Sequence, residues 1–515
     1  MTYTFNLLDR PWIPCVCADG KVELFSLQDT LQQAHRLHGI QGDSPLETAA
    51  LYRLLLAVLH SSLRGPAKRS EWATLWKNGQ WNSEPFSSYL SKWHDRFDLF
   101  HPQRPFYQSH SDKAKPKSVT SLVMDMAAGN QATLFDHHTE ERGVVLSAAK
   151  AARSLIVAHT FGLGGLVMPG VSFTDAPWGR GMILLVEGNN LFETLCLNLL
   201  LYPNTSKNCL ESTEADKPSW EQEDPYSPNR IKPLGYLDYL TWQNRRIFLI
   251  PEGNIEDPQI SMMTIFIGLR QDATLQDPMK SYKMGKDGYL VNRFNEGRAL
   301  WRDSATLFGL YRSEKGHPPQ TFYWLADLAA NDLITEKERY RFMALGMAND
   351  QAKVEFFQQE HFPLPLAYLE NDTLVGQLSD SLGYADKVRF EIKRAVQWLA
   401  LLIISPKAVD KKWPEVDRIS KDQAEKMFYH WNVEAYFWQN LEIPFMELLE
   451  NLPKQPQVLE DWMGLLQKTA KDSLEKAVTL AGTDPAVLKS AVKARQILAY
   501  SLKELFNPIL EEKPL

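Results

Sequence analysis

The stretch HFPLP, His361-Phe362-Pro363-Leu364-Pro365, decides the fold class of this 515-residue chain. Prolines at alternate positions remove backbone donors and push their predecessors out of the helical region, so a structural break belongs here. The chain changes style across it. Up to about Leu366, short strand-like runs alternate with Gly and Pro punctuation and isolated helices; beyond it the pattern is almost continuously helical. The reading is an α+β chain, with a large mixed α/β domain over residues 1–366 and an all-α four-helix bundle over 367–515.

Four helical segments are expected downstream. The first runs from about Ser381 to Ile404, and the second from Lys421 to about Glu450 with an interruption at Pro444. The third follows Pro456, with Leu459, Trp462, Leu466, Ala470, Leu474 and Ala477 at steps of three and four. The fourth opens on Thr483-Asp484-Pro485, an N-cap followed by Pro at the first helical position, and carries Val487, Ala491, Ala494, Leu498, Leu502 and Leu505 on one face. Wide apolar stripes joined by short loops mark antiparallel neighbours in a bundle. No Glu-x-x-His pair is placed on these helices to form a di-metal site, so the bundle reads as structural.

Upstream, Leu46 to Leu63 is apolar nearly all round and predicts a buried helix. Gly181–Gly188 and Arg246–Pro251 are apolar runs bounded by breakers, the pattern of buried strands. Near the start, NLLDRPWIPCVCADGKVELFSL (Asn6–Leu27) places Trp12 beside two short β-type runs separated by Ala18-Asp19-Gly20, which predicts a hairpin anchored by an aromatic. Cys15, Cys17, Cys196 and Cys209 include no CxxC pair and are expected to be buried structural thiols. Ser206–Arg230, polar and acidic with three prolines, reads as an exposed or mobile loop. No repeat of solenoid period is present.

Composition bounds the function. An apolar share of 44% with 23% charged residues is that of an ordinary globular protein. No stretch approaches the roughly 20 apolar residues of a membrane span, and MTYTFNLLDR lacks the basic-then-apolar order of a signal peptide, so the expected location is the cytoplasm. A net charge of −7 disfavours a protein that coats nucleic acid unaided, while leaving room for contact through local basic loops. Fifteen tryptophans favour large cores and interfaces, as in an assembly subunit.

Most candidate chemistry fails on spacing. Asp136-His137-His138 with Glu140 and Glu141 is dense in metal-ligand types, but adjacent histidines diverge and no HExxH is present, so a polar loop is expected. Phe161-Gly162-Leu163-Gly164-Gly165 lacks the Gly-Lys-Ser/Thr of a P-loop and the third glycine of a dinucleotide fingerprint. Its glycines do permit close backbone approach, although a structural turn is the plainer reading. Lys280, Lys283, Lys286, Arg293, Arg298 and Arg302 face only Asp287 and Glu296 in their window, six cations against two acids and a local net of +4. Lys283-Met284-Gly285-Lys286-Asp287-Gly288 reads as a basic hairpin tip able to reach phosphates or a groove, with a solvated face as the alternative. Met347-Ala348-Asn349-Asp350-Gln351-Ala352 reads as a helix start capped by Asn349 or Asp350. No Ser/His/Asp or Cys/His set has a recognisable signature.

Taken in order, these segments resemble the CasA family, the large subunits of the type I-E CRISPR surveillance complex Cascade. The resemblance rests on Asn6-Leu7-Leu8-Asp9-Arg10-Pro11-Trp12-Ile13-Pro14, on Arg104-Pro105-Phe106-Tyr107-Gln108, on the Phe161–Gly165 glycine loop and on the helical C-terminal part, and so spans essentially the whole chain. It implies a non-enzymatic subunit, without cofactor or bound metal, that reads the protospacer-adjacent motif (PAM) of duplex DNA through the minor groove. It further implies guide RNA, other Cascade subunits and a helicase-nuclease as partners. The matching positions are Gly162, Gly164 and Gly165 for a groove-contacting loop, and Lys283 or Lys286, with Lys280 in the same window, for a basic finger. Asp350, Gln351 and Ala352 match a wedge that starts strand separation, and Leu134, Phe135 and Asp136 a loop that tethers the subunit to the guide-RNA end. Asp350 departs from the neutral Asn expected before the wedge glutamine; a carboxylate there is repelled by phosphates and accepts only from an amino donor such as guanine N2. Two other readings compete: a metal-dependent nuclease built on Asp136, His137 and His138, and a purely structural assembly subunit.

Overall fold

The computed structural model describes residues 3–124, 144–203, 210, 212–227, 229–272, 274–310, 316–335, 339–350, 353–410 and 413–511. The chain divides into two compact units, one of residues 1–300 and 310–369, the other of 301–309 and 370–515. The division thus falls at Leu369/Glu370, and the helical unit takes in the short segment Trp301–Gly309 from upstream.

The first unit is mixed. The opening hairpin pairs Ile13–Val16 with Val22–Phe25, and Gly39–Ile40 adds a third strand. Trp12 is fully buried beside it, its indole N–H donating to the Leu7 carbonyl at 2.9 Å. Burial raises the Cys15 thiol to about 12, which fits an inert packing role; Cys17 and Cys196 are also unpaired, and Cys209 lies outside the described residues. Helix Pro45–Leu63 starts with the Ser44 hydroxyl capping Glu47 N and is buried along almost its whole length against helix Ala148–Phe161. Glu47, itself buried, forms an ion pair with Arg153 at 2.6 Å and accepts from Lys150 at 3.0 Å, so the charge between these helices is paired.

Two antiparallel hairpins carry the larger sheets. Arg245–Gly253 pairs with Pro258–Ile267. Arg341–Asp350 pairs with Lys353–Pro363, and its other edge with Ile183–Glu187. The segment at Met347 is therefore the end of a ten-residue strand, not a helix start. Its Asn-Asp pair follows a bulge between Ala348 and Asn349 and leads into the hairpin end. The acidic stretch 206–230 also departs from expectation. Trp220 and Tyr226 are buried, the first donating to the Tyr89 hydroxyl at 2.7 Å and the second to the Arg245 carbonyl at 2.6 Å, so the described part is fastened to the core.

The second unit is built on helix Asp372–Ile404, which packs against Arg418–Trp431, Val458–Ala481 and Pro485–Glu511. It starts nine residues before the expected Ser381, because the Asn371 side chain caps Thr373 N and Leu374 N. The expected second helix is two, Arg418–Trp431 and Val433–Asn451. The break is at Asn432, in the left-handed region with φ 47°, while Pro444 is carried inside a continuing helix.

Candidate nucleic-acid interface

The glycine loop leaves helix Ala148–Phe161 at Gly162 and becomes a two-stranded hairpin, Gly165–Met168 against Val171–Phe173. Three groups fix its base. The Asp175 carboxylate accepts from Gly164 N at 2.7 Å and from Arg180 at 2.9 Å. Arg245 donates to the carbonyls of Leu163 (2.7 Å) and Thr174 (2.9 Å), and its guanidinium covers the Phe173 ring at 4.2 Å. Burial lowers Arg245 to about 10, with Asp175 opposing the shift, so it stays a cation at neutral pH.

The three glycines differ in what a side chain would meet. A Cβ on Gly162 would lie 2.6 Å from the Ala158 carbonyl oxygen, and one on Gly164 would lie 3.2 Å from the Phe173 carbonyl oxygen. Both are glycine for internal reasons. A Cβ on Gly165 would meet nothing within 4 Å. Leu166, next to it, is 76% exposed, leaving this edge of backbone open to a partner.

The basic segment is also a hairpin, Tyr282–Gly285 against Gly288–Val291, with Gly316–His317 as a third strand. Tyr282 pairs with Val291 and Met284 with Tyr289, which sets these side chains on one face; Tyr282 and Tyr289 pack on the His317 ring at 4.9 and 5.0 Å. Lys283 pairs with Leu290 on the opposite face, and both are exposed. Lys286 is exposed at the tip. Lys280 is not a surface cation: it is 6% exposed, and its ammonium donates to the Pro177 carbonyl at 2.6 Å. Arg302 is likewise withdrawn from the basic window, over the Trp438 ring at 3.6 Å and 3.3 Å from Asp386.

At the end of the long hairpin, Asp350 pairs through its backbone with Lys353. Gln351 and Ala352 lie outside the described residues, as do Leu134, Phe135, Asp136, His137 and His138. Among the described residues no group of three His, Cys, Asp or Glu side chains is placed to hold a metal, and no helix is long and apolar enough to cross a membrane.

One strand roots two of these segments. Ile183–Glu187 pairs along one edge with Arg341–Leu345, five residues short of Asp350. At its start it is bonded to the lysine hairpin, Met182 N to Asn292 O at 2.9 Å and Leu184 N to Met279 O at 2.8 Å. Gly181, at φ 90°, makes this possible, because a Cβ would fall 2.2 Å from a Val291 methyl. The glycine hairpin leads into the same strand through residues 174–181, held by Ala176 N to Gly162 O at 2.7 Å and Trp178 N to Thr160 O at 2.8 Å. The positioning groups Asp175 and Arg245 were not evident in the sequence, which read Phe161–Gly165 only as a structural turn and did not foresee the hairpin that follows it.

Residues 6–473 match the family described as CRISPR-associated protein Cse1. The chain belongs to the CasA/Cse1 family. It is 31% identical over 520 residues to the CRISPR-associated protein CasA/Cse1 of Thermus thermophilus, covering 97% of this chain and 98% of that one. A crystal structure of CasA from Thermus thermophilus superposes with a TM-score of 0.80 at 29% identity, over 97% of this chain and 99% of that one. A chain of a structure described as a CRISPR RNA-guided surveillance complex shares the fold, with a TM-score of 0.72 at 20% identity over 96% of this chain and 99% of that one. The Cse1-family assignment covers both units, and with it the mixed first unit and helical second unit agree with the α+β reading.

Proposed function

We propose that this Cse1-family chain is the large subunit of a type I-E CRISPR surveillance complex in the cytoplasm, and that it reads the PAM of duplex DNA through the minor groove. The observation that carries the reading is the common root at Ile183–Glu187: the glycine hairpin leads into it, and the lysine and long hairpins are bonded to it. The open backbone at Gly165 approaches the groove floor. Lys283 or Lys286 supplies a cation to the degenerate acceptors there, which suits a tolerant reader. Asp350, Gln351 and Ala352 start strand separation at the flank, and guide pairing then offsets the unstacking cost by forming the heteroduplex. Leu134, Phe135 and Asp136 tether the chain to the guide-RNA end, and other surface receives the helicase-nuclease. The chain performs no chemistry; cleavage of DNA by it with a divalent metal would contradict this.

The two ends of the glycine loop give the test. Gly165→Ala is expected to leave unfolding of the free chain within about 0.5 kcal/mol, because the added methyl meets no protein atom. In the guide-loaded complex it is expected to weaken binding to a PAM-bearing duplex by about tenfold or more, the cost of a lost close approach. Gly162→Ala instead forces the methyl onto the Ala158 carbonyl and lowers the stability of the free chain. Unchanged duplex affinity for Gly165→Ala would remove the glycine loop from the interface.

A further inference from the structure

Lys280 has no role on a DNA-facing surface, yet it is held with more care than either exposed lysine. Its ammonium is buried and donates to the Pro177 carbonyl, in the segment that joins the glycine hairpin to strand Ile183–Glu187. Its backbone forms a bridge to Ile183 at the root of the lysine hairpin. One residue therefore touches both arms. The charges around it are already engaged. Asp277, 5% exposed, accepts from Trp178 Nε1 at 2.7 Å, from Met279 N at 2.7 Å and from the Tyr239 hydroxyl. Arg53, 3% exposed, lies between the Trp178 and Tyr239 rings at 4.7 and 4.6 Å and donates to the carbonyls of Leu240 and Tyr239. Asp175 and Arg293 also act on Lys280 electrostatically.

A buried ammonium on a neutral carbonyl is a poor way to gain stability, since an apolar side chain of similar length would avoid the desolvation cost. What it does supply is a directed contact of fixed reach between two chain segments. We propose that Lys280 is a positioning residue that sets the glycine loop and the lysine hairpin in one frame, so that both meet the same groove. The inference rests on the duplex-reading role proposed above.

A double-mutant cycle in the assembled, guide-loaded complex tests it, with affinity for intact-flank and scrambled-flank duplexes measured at one salt concentration. Lys283→Ala is expected to cost about tenfold on the intact flank, the scale of one charge-assisted contact, and Lys280→Met a similar factor. In the Lys280→Met background Lys283→Ala is expected to cost less than about threefold, because the hairpin is no longer held in place. Lys280→Arg, which keeps a buried cationic donor, is expected to recover part of the Lys280→Met loss. If Lys280→Met does not assemble, the same cycle is read on Lys280→Gln. Strict additivity of two active single variants overturns the positioning role and leaves duplex reading standing. If Lys283→Ala, Lys286→Ala and Gly165→Ala are all silent in the unaltered background, duplex reading itself fails, and this proposal with it.

Discussion

Lys280 shows how far a single side chain can depart from its charge class. Burial lowers its pKa from 10.5 to about 8, opposed by Asp277 and assisted by Arg53. Below pH 8 the ammonium is charged in both folded and unfolded chain, and its burial cost is fully present. Between pH 8 and 10.5 the unfolded chain holds the proton and the folded chain has released it, so the wild type gains stability as pH rises. Relative to Lys280→Met, the gain expected by pH 10 is on the order of 2 kcal/mol. Denaturant unfolding of both proteins at pH 7 and pH 10 checks this; a wild-type-minus-variant difference that is flat with pH would show that the ammonium is solvated. No spacing rule could have separated Lys280 from Lys283. They are three residues apart in one basic window, yet Lys280 is buried at the root, where its backbone bridges to Ile183 and its ammonium reaches Pro177, while Lys283 is exposed on the hairpin.

At the scale of elements, segment Trp301–Gly309 is where sequence and structure differ most. It precedes the HFPLP break, which assigns it to the mixed domain, yet it belongs to the helical unit. Trp301 is 2% exposed and packs on Phe445 at 4.6 Å and Trp438 at 5.6 Å. Trp301→Ala is expected to cost about 3–5 kcal/mol and to lower the unfolding midpoint of the helical unit, followed by hydrogen exchange along Val433–Asn451. Unchanged protection there would place the ring outside that core. The helical stripes themselves were legible, because each buries one face at a period of 3.6 residues. The end of strand Arg341–Asp350 was not. It is buried on both faces from Phe342 to Ala348, so alternation is lost, and the Asn349-Asp350 dipeptide reads like a cap. Asn432 against Pro444 follows the same logic: proline is the stronger breaker in isolation, but packing carries Val433–Asn451 through it, and the left-handed turn at asparagine makes the corner.

For the whole molecule, the order of motifs carried more than any motif alone. The opening signature, the Arg104–Gln108 motif and the glycine loop are each compatible with an ordinary turn or core packing. All three lie in order within the first unit, inside the stretch 6–473 that the Cse1-family match covers. The residues of the candidate site were legible only as loops; that Gly165 is the open glycine, and that Asp175 and Arg245 hold its hairpin, depends on contacts between segments far apart in the chain. Under the proposed duplex-reading role, a chain of net charge −7 would leave most phosphate neutralisation to the rest of the complex, and its contribution would appear as flank discrimination more than as raw affinity. The most direct test is the affinity, at one stated salt concentration, of guide-loaded complex assembled with and without this chain for duplexes whose PAM is intact or scrambled. The account predicts tight binding to the intact flank only when the chain is present. Binding that is equal without the chain, or indifferent to the flank, would contradict it and leave a purely structural subunit.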